Sequence, residues 1–316
     1  MQTALVAGGA GFIGSHLCES LLKDGFKVIC VDNLITSSKD NIQEFIDNPN
    51  FKFIEHDVTK PLEIDDEIDF IFHLASPASP NKKSPRSYIN FPIETLLANS
   101  FGTYELLLLA KKKGSKFLFT STSEVYGDPQ VSPQTEAYFG NVNPNGIRSV
   151  YDESKRFGEA ATMAFVRKFN LDARIIRIFN TYGPKMQSDD GRVVSDFIMQ
   201  ALHGKPITIF GDGKQTRSFC YVDDMVLGVK AAMFKENTKG QVINLGNPDE
   251  RTILEMANLI KKTTDSSSEI TFEECPEDDP KRRKPDISKA KEVLAWEPKV
   301  PIEEGIKKTV EYFKRV

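Results

Sequence analysis

Tyr151 and Lys155 stand four residues apart in a stretch whose apolar spacing predicts a helix, and Thr122-Ser123-Glu124 closes a predicted strand well upstream. Residues at i and i+4 share a helical face, which sets the ammonium beside the phenol. A neighbouring positive charge favours the phenolate and makes Tyr151 a base usable near neutral pH. A phenolate beside a hydroxyl is what removal of hydride from an alcohol requires, and the Thr122 hydroxyl can pass or share the proton. Glu124 offers a second acid or base for chemistry next to the carbonyl so formed. Alone, a Tyr-x-x-x-Lys pair is ordinary on helix surfaces. Its meaning depends on a hydride acceptor held nearby.

The amino-terminal elements supply a holder for one. Residues 3–7 read as a short buried strand, followed at once by Gly8-Gly-Ala-Gly11-Phe12-Ile13-Gly14 and an amphipathic helix through Leu17, Leu21 and Leu22. In strand, glycine turn and helix, the first glycine allows the tight turn, the second lets backbone approach a pyrophosphate, and the third lets helix pack on strand. The phosphates then sit at the positive helix end. A second strand at 27–31 ends at Asp32, eighteen residues after Gly14, where a carboxylate can accept both ribose hydroxyls of an adenosine. No arginine follows to receive a 2′-phosphate, so NAD is expected rather than NADP.

Composition fits an enzyme and excludes other classes. The 316 residues carry a net charge of −4 with basic residues dispersed, which argues against a nucleic-acid footprint. No apolar run approaches a membrane span, and the first strand leaves no room for a signal peptide, so a cytoplasmic protein with no membrane partner is expected. Cys18, Cys30, Cys220 and Cys275 lack metal-ligand spacing, and His16, His56, His73 and His203 do not cluster, so no metal is expected. His73 reads as a hydrogen-bonded strand residue.

Apolar strands alternating with helices predict an α/β fold with a parallel doubly wound sheet, a Rossmann arrangement. Strands are expected near 3–7, 27–31, 51–55, 70–74, 116–120 and 173–177, and long helices at 92–113 and 149–169. Lys111-Lys-Lys113 before Gly114 reads as a helix end meeting its negative pole and capped by glycine. Residues 1–177 form the expected NAD-binding domain, with 222–248 returning to it, and 178–316 form mainly a smaller C-terminal substrate lobe. Helices are expected near 223–234, 252–263, 287–295 and 302–315. Ligands of such sheets bind beyond the carboxyl ends of strands. Asn33, Asp57-Val58, Leu74-Ala75-Ser76 and Asn99 complete the candidate cofactor set.

These residues carry a resemblance. The glycine turn, Asp32, Thr122 and Tyr151-x-x-x-Lys155 look like the extended short-chain dehydrogenase/reductase family of nucleotide-sugar enzymes. Within it the longer stretches resemble the UDP-glucuronate decarboxylases, or UDP-xylose synthases. These stretches are Leu74-Ala-Ser-Pro-Ala-Ser-Pro80, Ser121-Thr-Ser-Glu-Val-Tyr-Gly-Asp-Pro129, Asn143-Pro144, Tyr151-Asp-Glu-Ser-Lys-Arg156, Arg177-Ile-Phe-Asn-Thr-Tyr-Gly-Pro184, Asp190-Gly-Arg-Val-Val-Ser195, Gln215-Thr-Arg217 and Arg282-Arg-Lys-Pro-Asp-Ile287. Departures stand at Asn145, Ile147 and Ser154, where the pattern has an apolar residue, proline and glycine.

The resemblance implies oxidation of a sugar C4 hydroxyl with Tyr151 as base, Thr122 assisting, and Lys155 holding phenolate and nicotinamide ribose. A carboxylate β to the new ketone is then lost as carbon dioxide, C5 is protonated and the hydride returns, with NAD retained. Arg283 matches the position near the substrate carboxylate or proton donor, with Ser123 and Glu124 close by. Without the resemblance, Lys281-Arg-Arg-Lys284 reads equally as a solvated run balancing the acidic stretch 273–279. A UDP-sugar brings a diphosphate, for which Arg192, Arg217 and Asn180 are the candidates. Tyr221 and the segment from Thr208 to Phe210 are candidates to frame the uracil, although a plain core strand fits them too. Sister activities remain open: a 4-epimerase shares Tyr151 and Lys155, and a 4,6-dehydratase carries an Asp where Ser123 stands. A non-catalytic NAD-binding regulator has no use for the three groups together. A homodimer through the two long helices is expected, since Leu106 to Leu109, Phe157, Met163 and Phe165 exceed what one sheet face covers.

Overall fold

Short, almost unbroken apolar runs make the central sheet, as parallel strands covered by helices on both faces require. In the computed structural model, which describes residues 1–275 and 282–315, these are β1 (Thr3–Ala7), β2 (Lys27–Asp32), β3 (Phe51–Glu55), β4 (Phe70–His73), β5 (Lys116–Thr122) and β6 (Ala173–Ile178). A seventh strand, Val242–Leu245, comes from far along the chain and pairs with β6, Ile243 opposite Ile176. The order is Val242–Leu245, β6, β5, β4, β1, β2, β3, all parallel. Strand order reverses between β1 and β4, so a crevice opens beyond their carboxyl ends.

The helix predicted over 92–113 is three pieces: Pro92–Leu97, one π turn at Ala98–Gly102, and Thr103–Lys113. π turns insert a residue and re-aim side chains at sites. Here the turn points Asn99 inward. The last piece ends as expected, with Gly114 left-handed at φ 70° behind three lysines. Helix Ser149–Phe169 has the predicted bounds and buries the face carrying Tyr151, Ser154, Lys155 and Gly158.

Leu106, Leu107, Leu109 and Phe165 pack under the sheet with Ile71, Phe117 and Ile175. Of the residues proposed from the sequence for a dimer, Leu106 to Leu109, Met163 and Phe165 therefore face inward, because the sheet face needs them, and only Phe157 stays exposed. Outside, the same two helical regions leave Ile93, Leu96, Phe101, Tyr104 and Phe157 exposed.

Beyond β6 the chain forms helix Val193–Leu202, which the sequence reading did not anticipate, a parallel pair of Ile207–Phe210 with Ile270–Glu273, and a small sheet of Glu250–Thr252, Thr216–Ser218 and Arg282–Arg283. That small sheet sets Arg217 beside Arg283. Lys281 and the acidic residues 277–279 lie outside the described residues, whereas Glu273 pairs with Lys83 and Arg282 with Glu250. Among the described residues no helix is long and apolar enough to cross a membrane, and no group of His, Cys, Asp and Glu could hold a metal ion. His73 is wholly buried and bonds the Thr103 hydroxyl. Cys18, Cys30 and Cys220 are buried free thiols, and Cys275 is exposed.

Candidate active site

A cleft of about 1010 Å³ runs along the carboxyl ends of the strands and is walled on its far side by the segments after β6. Its floor is the glycine turn. Gly8 is left-handed at φ 80°, and a Cβ there would lie 2.6 Å from the Ala75 nitrogen. At Gly14 a Cβ would come within 2.1 Å of the Gly8 oxygen. The helix that follows, Phe12–Lys23, starts at Gly11 with no side-chain cap and no acidic residue in its first turn. Its first amides are therefore left for an anion, which is the fit a dinucleotide pyrophosphate needs.

Asp32 ends β2 at the cleft. Its carboxylate accepts from the Ala10 and Leu34 amides at 3.0 and 2.9 Å and from the Ser37 hydroxyl at 2.7 Å. Burial pushes its pKa up, and these bonds pull against it. Two carboxylate oxygens have about four acceptor positions, and Ala10, Leu34 and Ser37 with the Gly11 amide already use them, so a ribose hydroxyl is received by displacing or sharing with one of these donors. Phe12, Ile13, Asn33, Asp57, Val58, Leu74, Ala75 and Ser76 line the same space. Asn99 does not. It is fully buried behind the wall, donating to the Ser76 and Ser154 hydroxyls at 3.0 and 3.1 Å. Ser154, which departs from the family pattern, is thus the link between Asn99 and the Tyr151 helix.

The reacting set comes from two elements. β5 ends at Thr122, whose hydroxyl caps a short turn by accepting the Glu124 amide at 3.2 Å and also hydrogen-bonds Tyr151. The helix is seated deeply because Gly158 faces Phe119: a Cβ at 158 would lie 2.3 Å from the ring. Lys155 is buried and donates to the Thr120 carbonyl at 2.9 Å, its ammonium 5.8 Å from the Tyr151 ring centre. Burial brings Lys155 down to about 7. Burial also pushes Tyr151 up; Thr122 and Arg192 oppose that shift, and Glu124 and Asp152 add to it. Burial thus works against the charged form of each partner. The pair shares a face, but desolvation outweighs it.

Glu124 is held by two arginines. Arg148 reaches one oxygen at 2.5 Å, and Arg283 forks onto both. Burial alone would raise its pKa, but Arg148 and Arg283 overcome this and hold it at about 2. Arg148 immediately precedes the Tyr151 helix and was missed in the sequence, as was Tyr88. The Tyr88 ring stacks on Tyr151 at 4.9 Å and 3°, with its buried hydroxyl unpartnered. No spacing signal joins positions 88, 124, 148 and 283. Only the fold does.

Ser123, Asn180, Thr208, Phe210 and Arg217 also line the cleft. Arg192 lines it too, paired to Asp190 at 2.5 and 2.8 Å. Tyr221 lies elsewhere: it packs edge-on against Tyr182, and Gly305 lies close against its ring. The strand Cys220–Tyr221 pairs with Thr181–Tyr182 and leads into helix Val222–Phe234, which turns the ring into the core. A loop missed in the sequence crosses the cleft: Arg86 bonds the Thr36 carbonyl at 2.9 Å and Asp189 at 2.5 Å.

UDP-glucuronic acid decarboxylase 1 of Xenopus tropicalis is 50% identical over 98% of this chain and 72% of its own length. UDP-glucuronic acid decarboxylase 6 of Arabidopsis thaliana is 52% identical over 98% of this chain and 88% of its own. Among solved structures, UDP-glucuronic acid 4-epimerase from Bacillus cereus, in complex with UDP-glucuronic acid and NAD, is 32% identical with a TM-score of 0.88 over 99% of each chain. A model of the NAD dependent epimerase/dehydratase family matches residues 4–246, and the chain belongs to that family.

Proposed function

We propose that the protein converts UDP-glucuronate to UDP-xylose and carbon dioxide through a 4-keto intermediate, with NAD retained in the glycine-turn cradle. The observation that carries this reading is the meeting of two buried guanidinium groups, Arg148 and Arg283, on Glu124 beside the Tyr151–Thr122 hydroxyls. It is a seat for a second carboxylate.

The glycine turn, Phe12, Ile13 and Asp32 would hold NAD, which would supply the acceptor and later the donor of the C4 hydride. Tyr151 takes the C4 hydroxyl proton, with Thr122 hydrogen-bonded to its phenol. Lys155, near its own titration point, supplies positive charge to the phenolate when protonated. The carboxylate on C5 then lies β to a ketone, and cleavage of its carbon–carbon bond leaves an enolate that is protonated at C5. Arg283 and Arg148 steady the departing carboxylate and the enolate. Because Glu124 already shares their charge, they do not hold the substrate carboxylate so tightly that its loss is opposed. Arg192, Arg217 and Asn180 hold the diphosphate, and Thr208 and Phe210 frame the base. The names of the relatives near 50% identity support the same reading.

The solved 4-epimerase favours a second reading, inversion at C4 with all carbons kept. Mass analysis of the product from UDP-glucuronate separates them: UDP-xylose with released carbon dioxide supports decarboxylation, and UDP-galacturonate overturns it. Tyr151→Phe is expected to lower kcat about a thousandfold while NAD stays bound.

The same proposal includes a homodimer and a cytosolic setting. Ile93, Leu96, Phe101, Tyr104 and Phe157 are exposed apolar residues on the two helical regions, and three buried cysteines are unpaired. A monomer at micromolar concentration in sedimentation equilibrium would remove the dimer.

A further inference from the structure

Replacing a carboxylate by hydrogen consumes one proton per turnover. Carbon dioxide leaves without the C5–C6 electron pair, and the enolate takes a proton from the protein. Tyr151 cannot be its net source, because the proton it gains from the C4 hydroxyl is returned when the C4 hydroxyl is restored. Glu124, clamped by two arginines, carries none at neutral pH.

Behind the clamp is a second cavity of about 270 Å³, lined by Gly127, Asp128, Asn141, Asn143, Arg148 and Asp152. Arg148 is the partition, since it lines this cavity and the main cleft alike. Asp152 stands one helical turn on, its amide donating to the Arg148 carbonyl at 3.1 Å. The residue is 6% exposed, and one carboxyl oxygen has no hydrogen-bond partner. A buried carboxylate with an oxygen left unpartnered costs far more than the same group as a neutral acid.

We propose that Asp152 is the proton reservoir of the reaction: it takes a proton from solvent through the second cavity and yields it past Arg148 to the Glu124 side. This rests on the decarboxylase reading. Around Asp152, Glu124 and Glu153 favour its acid form and Arg148 and Arg283 oppose it, while Asp128 lines the same cavity and Tyr88 and Tyr151 stand near. Burial comes first, and together they place it at about 8. Asp152 and Glu124 thus act as two carboxyls around one proton, parked on Asp152 because the arginines claim Glu124. A substrate carboxylate arriving at Arg283 and Arg148 brings a second negative charge to Glu124. That removes the advantage of the ionised form and draws the proton to the cleft side. Tyr88, with an unpartnered hydroxyl, is influenced by the same three groups, Arg148, Glu124 and Asp152.

Two readouts test this. Infrared titration of the wild-type protein without substrate is expected to show a protonated carboxyl at pH 7 that ionises near 8 and is missing in Asp152→Asn. In steady state, Asp152→Asn is expected to lower kcat about tenfold or more, leave the KM for UDP-glucuronate within about twofold, and remove the component of the alkaline limb near 8 while leaving the one that Lys155 sets near 7. Asp152→Glu is expected to restore the component near 8. No such carboxyl in the wild type, or a kcat profile unchanged in Asp152→Asn, overturns the reservoir even if carbon dioxide is released. If the carboxyl is present but UDP-glucuronate loses no carbon, the decarboxylase reading fails, and with it the use assigned to the proton.

Discussion

The two walls of the cleft are made in opposite ways. The cofactor side is shaped by backbone, with glycines at positions where one extra carbon would lie 2.1 to 2.6 Å from a neighbouring main-chain atom. The substrate side is shaped by charge: Arg148, Arg192 and Arg283 are each held against a carboxylate. The first wall is a steric mould and recognises what is common to every turnover. The second is an electrostatic one, and small changes of residue or pH retune it.

The largest effect should come from the mould. Gly14→Ala is expected to weaken NAD binding about a thousandfold, on the order of 4 kcal/mol, in titration calorimetry. Near-wild-type affinity would show that the turn yields more readily than its contacts suggest.

Next is the clamp. Glu124→Ala leaves two buried guanidinium groups facing each other and should cost about 3 kcal/mol at pH 7 in denaturant unfolding. The sign with pH follows from Glu124 being held at about 2, below its ordinary 4.5: its contribution is full above 4.5 and is lost as pH falls toward 2. The wild-type and variant stabilities should therefore converge in acid. A constant gap would mean that packing rather than charge sets the cost.

Asp32→Ala is expected to weaken NAD about tenfold and narrow its preference over NADP, because the carboxylate that repels a 2′-phosphate is gone. Smallest is the response to salt. About 0.5 M salt should raise the KM for UDP-glucuronate a few-fold through Arg192 and Arg217 while hardly changing NAD affinity. Equal sensitivity of both would erase the contrast between the walls.

The same contrast explains what the sequence discloses. β1, the glycine turn and Asp32 are contiguous, so local spacing carries them, and strand bounds through β6 fall within two residues of expectation. Arg148, Tyr88 and Asp152 gain meaning only where loops and helix converge, and no periodicity announces that. Tyr221 misleads because an aromatic residue suits a uracil and a core equally, and the helix beginning at Val222 turns its ring to Tyr182. Leu106 and Leu107 mislead for another reason: composition counts apolar residues but does not say which face a π turn will present. Lys155 shows the limit within a correctly read motif. Spacing gives the shared face, while its near-neutral titration comes from burial beneath residues far away in the chain.

The seat of the Tyr151 helix on Phe119 has a wider consequence. At Gly158 the thickness of an aromatic ring, with no side chain interposed, fixes how far Tyr151 stands from Thr122. The alignment of the chemistry is thus inherited from core packing two turns along the same buried helix face, at a residue that does not line the cleft. New substrates can be accommodated by rewriting the arginine wall without realigning the oxidation step, and a core substitution that never touches a ligand can disable every substrate at once.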